Sequence, residues 1–253
     1  MDFNLLEEIG LKKIKLSLTR PFNYFVKALM AGMYLGVALM LANTAYALFY
    51  HFDPYLGKFA YAAFFGLAFT LVVFLNGELF TGNTLPTIMP YFSKKAKLSD
   101  VLKGWTLAYI GNSIGVALIA FLFIQSHVWT KDLSPIITSV VDVKTSIAWG
   151  DLLVRAILCN FIVTLASYSS YKLQNEVAKI MVIFLLVIAF VLPGFEHSIA
   201  NIGSFTLGIS IGMTHLGLQM LFNVFVATVG NIIGGSIMLG LPIFAMFHPL
   251  ENQ

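Results

Sequence analysis

Long apolar runs separated by short polar ones fill nearly the whole chain, at about Phe25–Tyr50, Phe59–Phe92, Val101–Gln125, Ile147–Tyr171, Val177–Met213 and Leu216–Phe247. An α-helix rises 1.5 Å per residue, and about 20 apolar residues carry it across the hydrocarbon of a bilayer. The pattern therefore predicts six membrane crossings, and because they run throughout the chain none reads as a removable leader. The second and fifth runs are too long for single helices, and each is interrupted near its middle by polar, glycine-containing sequence. From Phe59 to Leu75 there is no charge; then Asn76–Pro86 brings a carboxylate, two hydroxyls, two amides and two glycines.

The two interruptions match each other. Glu78 and Asn83 have counterparts in Glu196 and Asn201, each 118 positions later. Gly111-Asn112-Ser113-Ile114-Gly115 is matched by Gly230-Asn231-Ile232-Ile233-Gly234 at an offset of 119, and Val26-Lys27-Ala28-Leu29 by Val154-Arg155-Ala156-Ile157 at 128. The chain reads as a duplicated three-helix unit within a single membrane domain, residues 1–253. Repeat 1 covers about 25–125 and repeat 2 about 147–247, with 1–24 a cytoplasmic N-terminal segment. An odd number of crossings per unit inverts the second copy, and inverted repeats with paired broken helices mark transport folds with sites near the bilayer midplane. The expected fold is an all-α integral membrane protein of six helices in two inverted repeats, the second and fifth broken.

Composition agrees: 58% of residues are hydrophobic and 11% charged, against roughly 45–50% and about 25% in soluble domains. The net charge of +3 sits mostly in flanks of the apolar runs. Lys12, Lys13, Lys15, Arg20 and Lys27 precede the first; Lys94, Lys95, Lys97 and Lys103 lie between the second and third; Lys172 and Lys179 lie between the fourth and fifth. The alternate connections carry only Lys58, Lys131, Lys144 and Arg155. Lys and Arg favour the cytoplasmic side, so both termini are expected in the cytoplasm of a multi-pass protein of the plasma (inner) membrane, and the basic residues read as topology signals rather than nucleic-acid contacts. A single cysteine, Cys159, allows neither an intrachain disulfide nor a thiol metal site. No metal, cofactor or enzymatic activity is expected.

The broken helices carry the chemistry. Backbone N–H and C=O groups freed at membrane depth must be buried in protein or line a cavity. Half-helices starting near Thr84 and Ile199 would aim their positive ends at the centre of the molecule and favour an anion there. Glu78 and Glu196 precede those starts and are expected to accept hydrogen bonds from loop or helix-start N–H groups, with Gly82 and Asn83 shaping the first loop. His51, His127, His215 and His248 fall near span ends, whereas His197 sits inside the second break. Histidine is the side chain whose unperturbed pKa lies nearest neutrality, and desolvation and a neighbouring carboxylate push that value in opposite directions. Thr81, in the other break, can donate to or accept from the imidazole. Among the mid-span amides Asn112, Asn160, Asn201 and Asn231, such groups more often join helices than touch a substrate; Asn201 and Asn160 rank first as cavity-facing.

At Gly77-Glu78-Leu79-Phe80-Thr81-Gly82-Asn83 and Gly194-Phe195-Glu196-His197-Ser198-Ile199-Ala200-Asn201, with the two Gly-Asn pairs, the sequence resembles the formate/nitrite transporter family of anion channels over essentially its whole length. The resemblance implies an aquaporin-like six-helix protomer with its own pore, assembled as a homopentamer, in which Thr81 and His197 meet. It places hydrophobic constrictions at Phe65, Phe69 and Phe80 on one side and at Leu79 and Phe190 on the other, Lys144 near the outer vestibule, and Asn160 along the pore. The implied partners are small monovalent anions and protons, formate first and nitrite next, with hydrosulfide, acetate or lactate as alternatives. A water or glycerol channel is more remote, since paired Asn-Pro-Ala loops do not occur. In the expected mechanism Lys144 and the helix ends gather the anion, and His197, held by Thr81, protonates it so that a neutral acid crosses the constriction. Met1–Arg20 reads as a cytoplasmic plug or an interfacial helix.

Overall fold

A computed structural model describes residues 2–128 and 130–247; His248, grouped above with the span-end histidines, lies outside the described residues. These residues are helical almost throughout: α1 (Asp2–Thr19), α2 (Pro21–Tyr50), α3 (Pro54–Phe74), α4 (Phe80–Phe92), α5 (Leu98–Gln125), α6 (Thr130–Ser146), α7 (Trp149–Lys172), α8 (Glu176–Val191) and α9 (Ser198–Ser210). A 3-10 turn (Thr214–Leu216), α10 (Gly217–Ile232), a π-helical stretch (Ile233–Leu239) and α11 (Gly240–Phe247) follow as one rod. Among the described residues five helices are long and apolar enough to cross a membrane: α2, α3, α5, α7 and the rod Thr214–Phe247. The expected fifth run is divided into α8, whose 16 residues span only about 24 Å, and α9. The second run divides in the same way into α3 and α4.

Small residues let the long helices approach. A Cβ added at Gly111 of α5 would lie 2.8 Å from the Ala28 Cβ of α2, and one at Gly230 of α10 would lie 2.5 Å from the Ala156 Cβ of α7. The two breaks turn alike: Asn76 (φ 54°) and Gly194 (φ 81°), again 118 positions apart, both adopt the left-handed conformation. Glycine takes it freely, and asparagine is among the few other residues that take it readily.

The first half-helix begins at Phe80, a turn earlier than the sequence suggested, and the second at Ser198. Gly82 and Asn83 therefore lie on α4 rather than in its preceding loop. The cause is a distant cap: Asn112 Oδ1 on α5 accepts the Phe80 N–H at 2.8 Å, while its Nδ2 donates to Ala28 O at 2.7 Å and Glu78 O at 3.0 Å. Asn231 on α10 does the same for α9, accepting from Ser198 N–H at 2.9 Å and donating to Ala156 O and Glu196 O at 2.8 and 2.9 Å. These two amides satisfy groups that the breaks would otherwise leave bare.

α1 packs one face against the bundle. Phe3, Leu6 and Ile14 are buried, and Gly10 packs directly on Pro86 O and Pro90 of α4, where a Cβ would sit 2.9 Å from Pro90 Cδ. Glu7 pins it further, accepting from Lys95 Nζ at 2.6 Å and from the Ser93 hydroxyl.

Candidate functional site at the paired breaks

Three cavities lie in series. A wider vestibule of about 380 Å³ is lined in part by Asn43, Lys58, Phe65, Lys144, Arg155, Phe190, Glu196, His197 and Asn201. A narrower one of about 260 Å³ is lined in part by Lys13, Lys27, Phe69, Glu78, Leu79, Ser167 and Lys179. They occupy opposite ends of the bundle: Asn43 and Lys27 stand 16 residues apart on α2, about 24 Å of helix. Between them is an almost wholly apolar void of about 20 Å³, room for roughly one water. Phe65, Phe190 and His197 border both the void and the wider vestibule, whereas Phe69 and Leu79 border both the void and the narrower one.

That arrangement regroups the expected constriction residues. Phe65 faces the Phe190 end and Phe69 the Leu79 end, so the first two do not act as one ring. Phe80 packs away from the void: its ring stands edge-on to Tyr109 and Trp105 of α5, with centroids 5.2 and 6.3 Å away. Its place one residue after Leu79, at the start of a helix, turns its side chain to the neighbouring helix.

His197 is the N-cap of α9. Its Nδ1 accepts the Ala200 N–H at 3.2 Å, and its Nε2 lies 2.8 Å from Thr81 Oγ1. In a neutral ring with Nδ1 as acceptor the proton sits on Nε2 and is donated to the Thr81 hydroxyl. Both residues are buried, and Phe190 stacks on the imidazole with ring centroids 6.2 Å apart. The structure thus brings the two breaks together through Thr81 and His197.

The carboxylates accept from side chains rather than from helix-start N–H groups, of which Phe80 N–H and Ser198 N–H go to the asparagine caps. Lys144 on α6 instead bonds both Glu196 oxygens at 2.9 and 3.0 Å and Asn201 Oδ1 at 2.9 Å. Asn201 Nδ2 donates to Glu196 Oε2 at 2.6 Å and to Asn223 Oδ1 at 2.8 Å. At the other break Lys13 on α1 bonds Glu78 Oε2 at 2.6 Å, and Asn83 Nδ2 donates to the same oxygen at 2.8 Å and to Tyr24 Oη at 3.0 Å. Burial disfavours the ammonium of Lys13, but Glu78 outweighs it and holds the lysine pKa above its usual value.

The sequence marks Lys13 only as a topology charge. It precedes the first repeat, while its counterpart Lys144 lies between the repeats, so no offset links them; the buried-face spacing of Leu6, Gly10 and Ile14 around it was the available signal. Asn160 is another departure. It is fully buried and borders none of the three cavities. Its Nδ2 donates to Thr84 Oγ1 at 2.9 Å, Asn231 O at 2.5 Å and Thr81 O at 3.3 Å. It braces α4 against the rod from behind the Thr81 wall.

Two basic vestibules joined by an apolar throat, with a histidine at the junction, define a helical membrane transport protein. The formate/nitrite transporter pattern matches residues 2–245, and the chain belongs to that family. A nitrite transporter of Escherichia coli, NirC, is 31% identical over 240 residues, covering 90% of this chain and 84% of NirC. The formate-nitrite transporter of Plasmodium falciparum is 29% identical, covering 95% of this chain and 82% of its own. Among solved structures, an FNT family ion channel superposes with a TM-score of 0.88 at 26% identity, covering 97% of this chain and 98% of that one. A pentameric formate channel with formate bound gives a TM-score of 0.76 at 24% identity, over 90% and 98% of the two chains, a likeness of fold.

Proposed function

We propose that the protein carries small monovalent weak-acid anions through a pore in each protomer, formate first and nitrite next, with His197 protonating the anion at the throat. The observation that carries this reading is the Thr81–His197 pair at 2.8 Å beside an apolar void between two vestibules, each lined by three cations and one carboxylate. A bare anion entering the void would lose its water without a compensating charge. A neutral acid would not.

The proton moves in balanced steps. A hydronium in the wider vestibule protonates Nδ1, displacing the Ala200 N–H, and the imidazolium passes its Nε2 proton to the anion. The products are a neutral imidazole bearing its proton on Nδ1 and a neutral acid; water then takes the Nδ1 proton and returns one to Nε2, so that Nδ1 again accepts the Ala200 N–H and Nε2 again donates to the Thr81 hydroxyl. The acid crosses and releases its proton to water beyond the throat, so one proton accompanies each anion. The matched bonding of Asn112 and Asn231, and of Glu78 and Glu196, supports six crossings as two inverted repeats, both broken segments counted. The Lys-rich flanks support termini in the cytoplasm of a plasma-membrane protein, and likeness to a pentameric channel supports a homopentamer.

The test is uptake into proteoliposomes across a pH gradient. His197→Asn and His197→Phe should abolish pH-driven accumulation, with formate and then nitrite the best competitors in a panel that includes hydrosulfide, acetate and lactate. Undiminished pH-driven uptake by both variants overturns the mechanism.

A further inference from the structure

Both lysines that stand beside the breaks are already neutralised: Lys13 by Glu78 and Lys144 by Glu196. Of the four other cations lining the vestibules, Lys27 and Arg155 are matched at the 128-residue offset. Each sits at the same place in its half, because the Lys27 carbonyl accepts the Glu78 N–H and the Arg155 carbonyl accepts the Glu196 N–H. Each lines a vestibule, Lys27 the narrower and Arg155 the wider. Neither side chain makes an ion pair or hydrogen bond with any described residue. The third cations of the wider and narrower vestibules, Lys58 and Lys179, lie over the Tyr55 and Phe74 rings at 5.9 and 6.0 Å.

These two matched cations differ in chemistry. An ammonium is a compact point charge, whereas a guanidinium presents a flat fork of donors that fits two oxygens of a planar oxyanion side by side. The wall of the cavity that Arg155 lines is largely apolar and aromatic, including Tyr46, Tyr61, Phe65, Val140, Val143 and Phe195. Such a wall suits the face of a flat organic acid, and a fork at one point of it fixes the carboxylate. The cavity of about 380 Å³ accepts ligands far larger than the throat of about 20 Å³ can pass.

We propose that Arg155 is the docking residue of the wider vestibule, taking planar oxyanions (nitrite and monocarboxylates) by a two-point contact before they reach His197, and that flat aromatic monocarboxylates bind there and block the pore. This deepens the transport reading and rests on it for the word substrate, but the docking itself is measurable without flux.

The experiment uses the full-length protein and the variants Arg155→Lys and Arg155→Gln, with benzoate and formate as probes. Calorimetric titration of the purified protein reads benzoate binding; proteoliposomes read the half-saturation for formate and the benzoate block, with hydrosulfide as an anion that offers no oxygen pair. Losing a charge-assisted two-point contact is worth tenfold or more in affinity. Arg155→Gln should weaken benzoate binding and raise the formate half-saturation by about that factor. Arg155→Lys should recover hydrosulfide uptake but not formate affinity. Benzoate binding unchanged in Arg155→Gln overturns the docking role and leaves the transport reading intact. Benzoate binding that depends on Arg155 in a protein that moves no anion keeps the docking role and overturns the transport reading. Equal recovery of formate and hydrosulfide by lysine overturns the two-point contact.

Discussion

His197 has both ring nitrogens engaged, one by a backbone N–H that caps α9 and one by the hydroxyl of Thr81. The Thr81 oxygen is therefore needed whichever tautomer is present. Thr81→Val removes it in a fully buried position and should lose most pH-driven uptake, whereas Thr81→Ser, keeping the hydroxyl, should retain most of it; the check is the same proteoliposome assay run on protein shown to be folded. The Lys144–Glu196 pair yields a second expectation. Both side chains are largely buried, with relative exposures of 17% and 4%, so removing one partner strands the other. Lys144→Met or Glu196→Gln alone should destabilise by about 3–5 kcal/mol, and the double variant by less than either, because neutral replacements leave no unpaired charge. Thermal unfolding in detergent measures this cycle, and additive losses would contradict it.

At the scale of elements, the breaks were legible because the signals that make them are local: glycine, asparagine and a carboxylate interrupting apolar sequence, twice, at one offset. Their helix starts were less legible. The cap that moves the first start to Phe80 comes from Asn112, 32 positions away, and only tertiary packing supplies it. The orientation of Phe80 was hidden for the same reason, since its partners Trp105 and Tyr109 lie on another helix. The shared turn at Asn76 and Gly194 gives a direct test. A Cβ at Gly194 meets nothing within 4 Å, so substitution there strains only the left-handed backbone. Gly194→Asn should be tolerated, as asparagine already adopts that conformation in the matching turn, while Gly194→Val should cost about 1–2 kcal/mol. Equal stability of the two by thermal unfolding would count against the conformational argument.

Across the whole molecule, the six apolar runs and their duplication outline a transport fold, and the meeting of Thr81 with His197 was legible from their places in the two matched breaks and from the family resemblance, although the two do not occupy equivalent positions. What the sequence concealed was the ion-pair scheme. Lys13 arrives on α1, and Asn160 turns from pore to brace, through packing between segments that share no periodicity. The throat itself has a further consequence. Protons travel through proteins by hopping along unbroken files of water, and a space of about 20 Å³ with an apolar wall holds no such file. In liposomes lacking any permeant weak acid, the protein should therefore add no proton leak above the lipid background, as read by an internal pH dye. Acidification would start only when formate or nitrite is added. A cell could thus fill its membrane with this pore and, while no permeant weak acid is present, still keep the voltage and proton gradient that drive its energy metabolism.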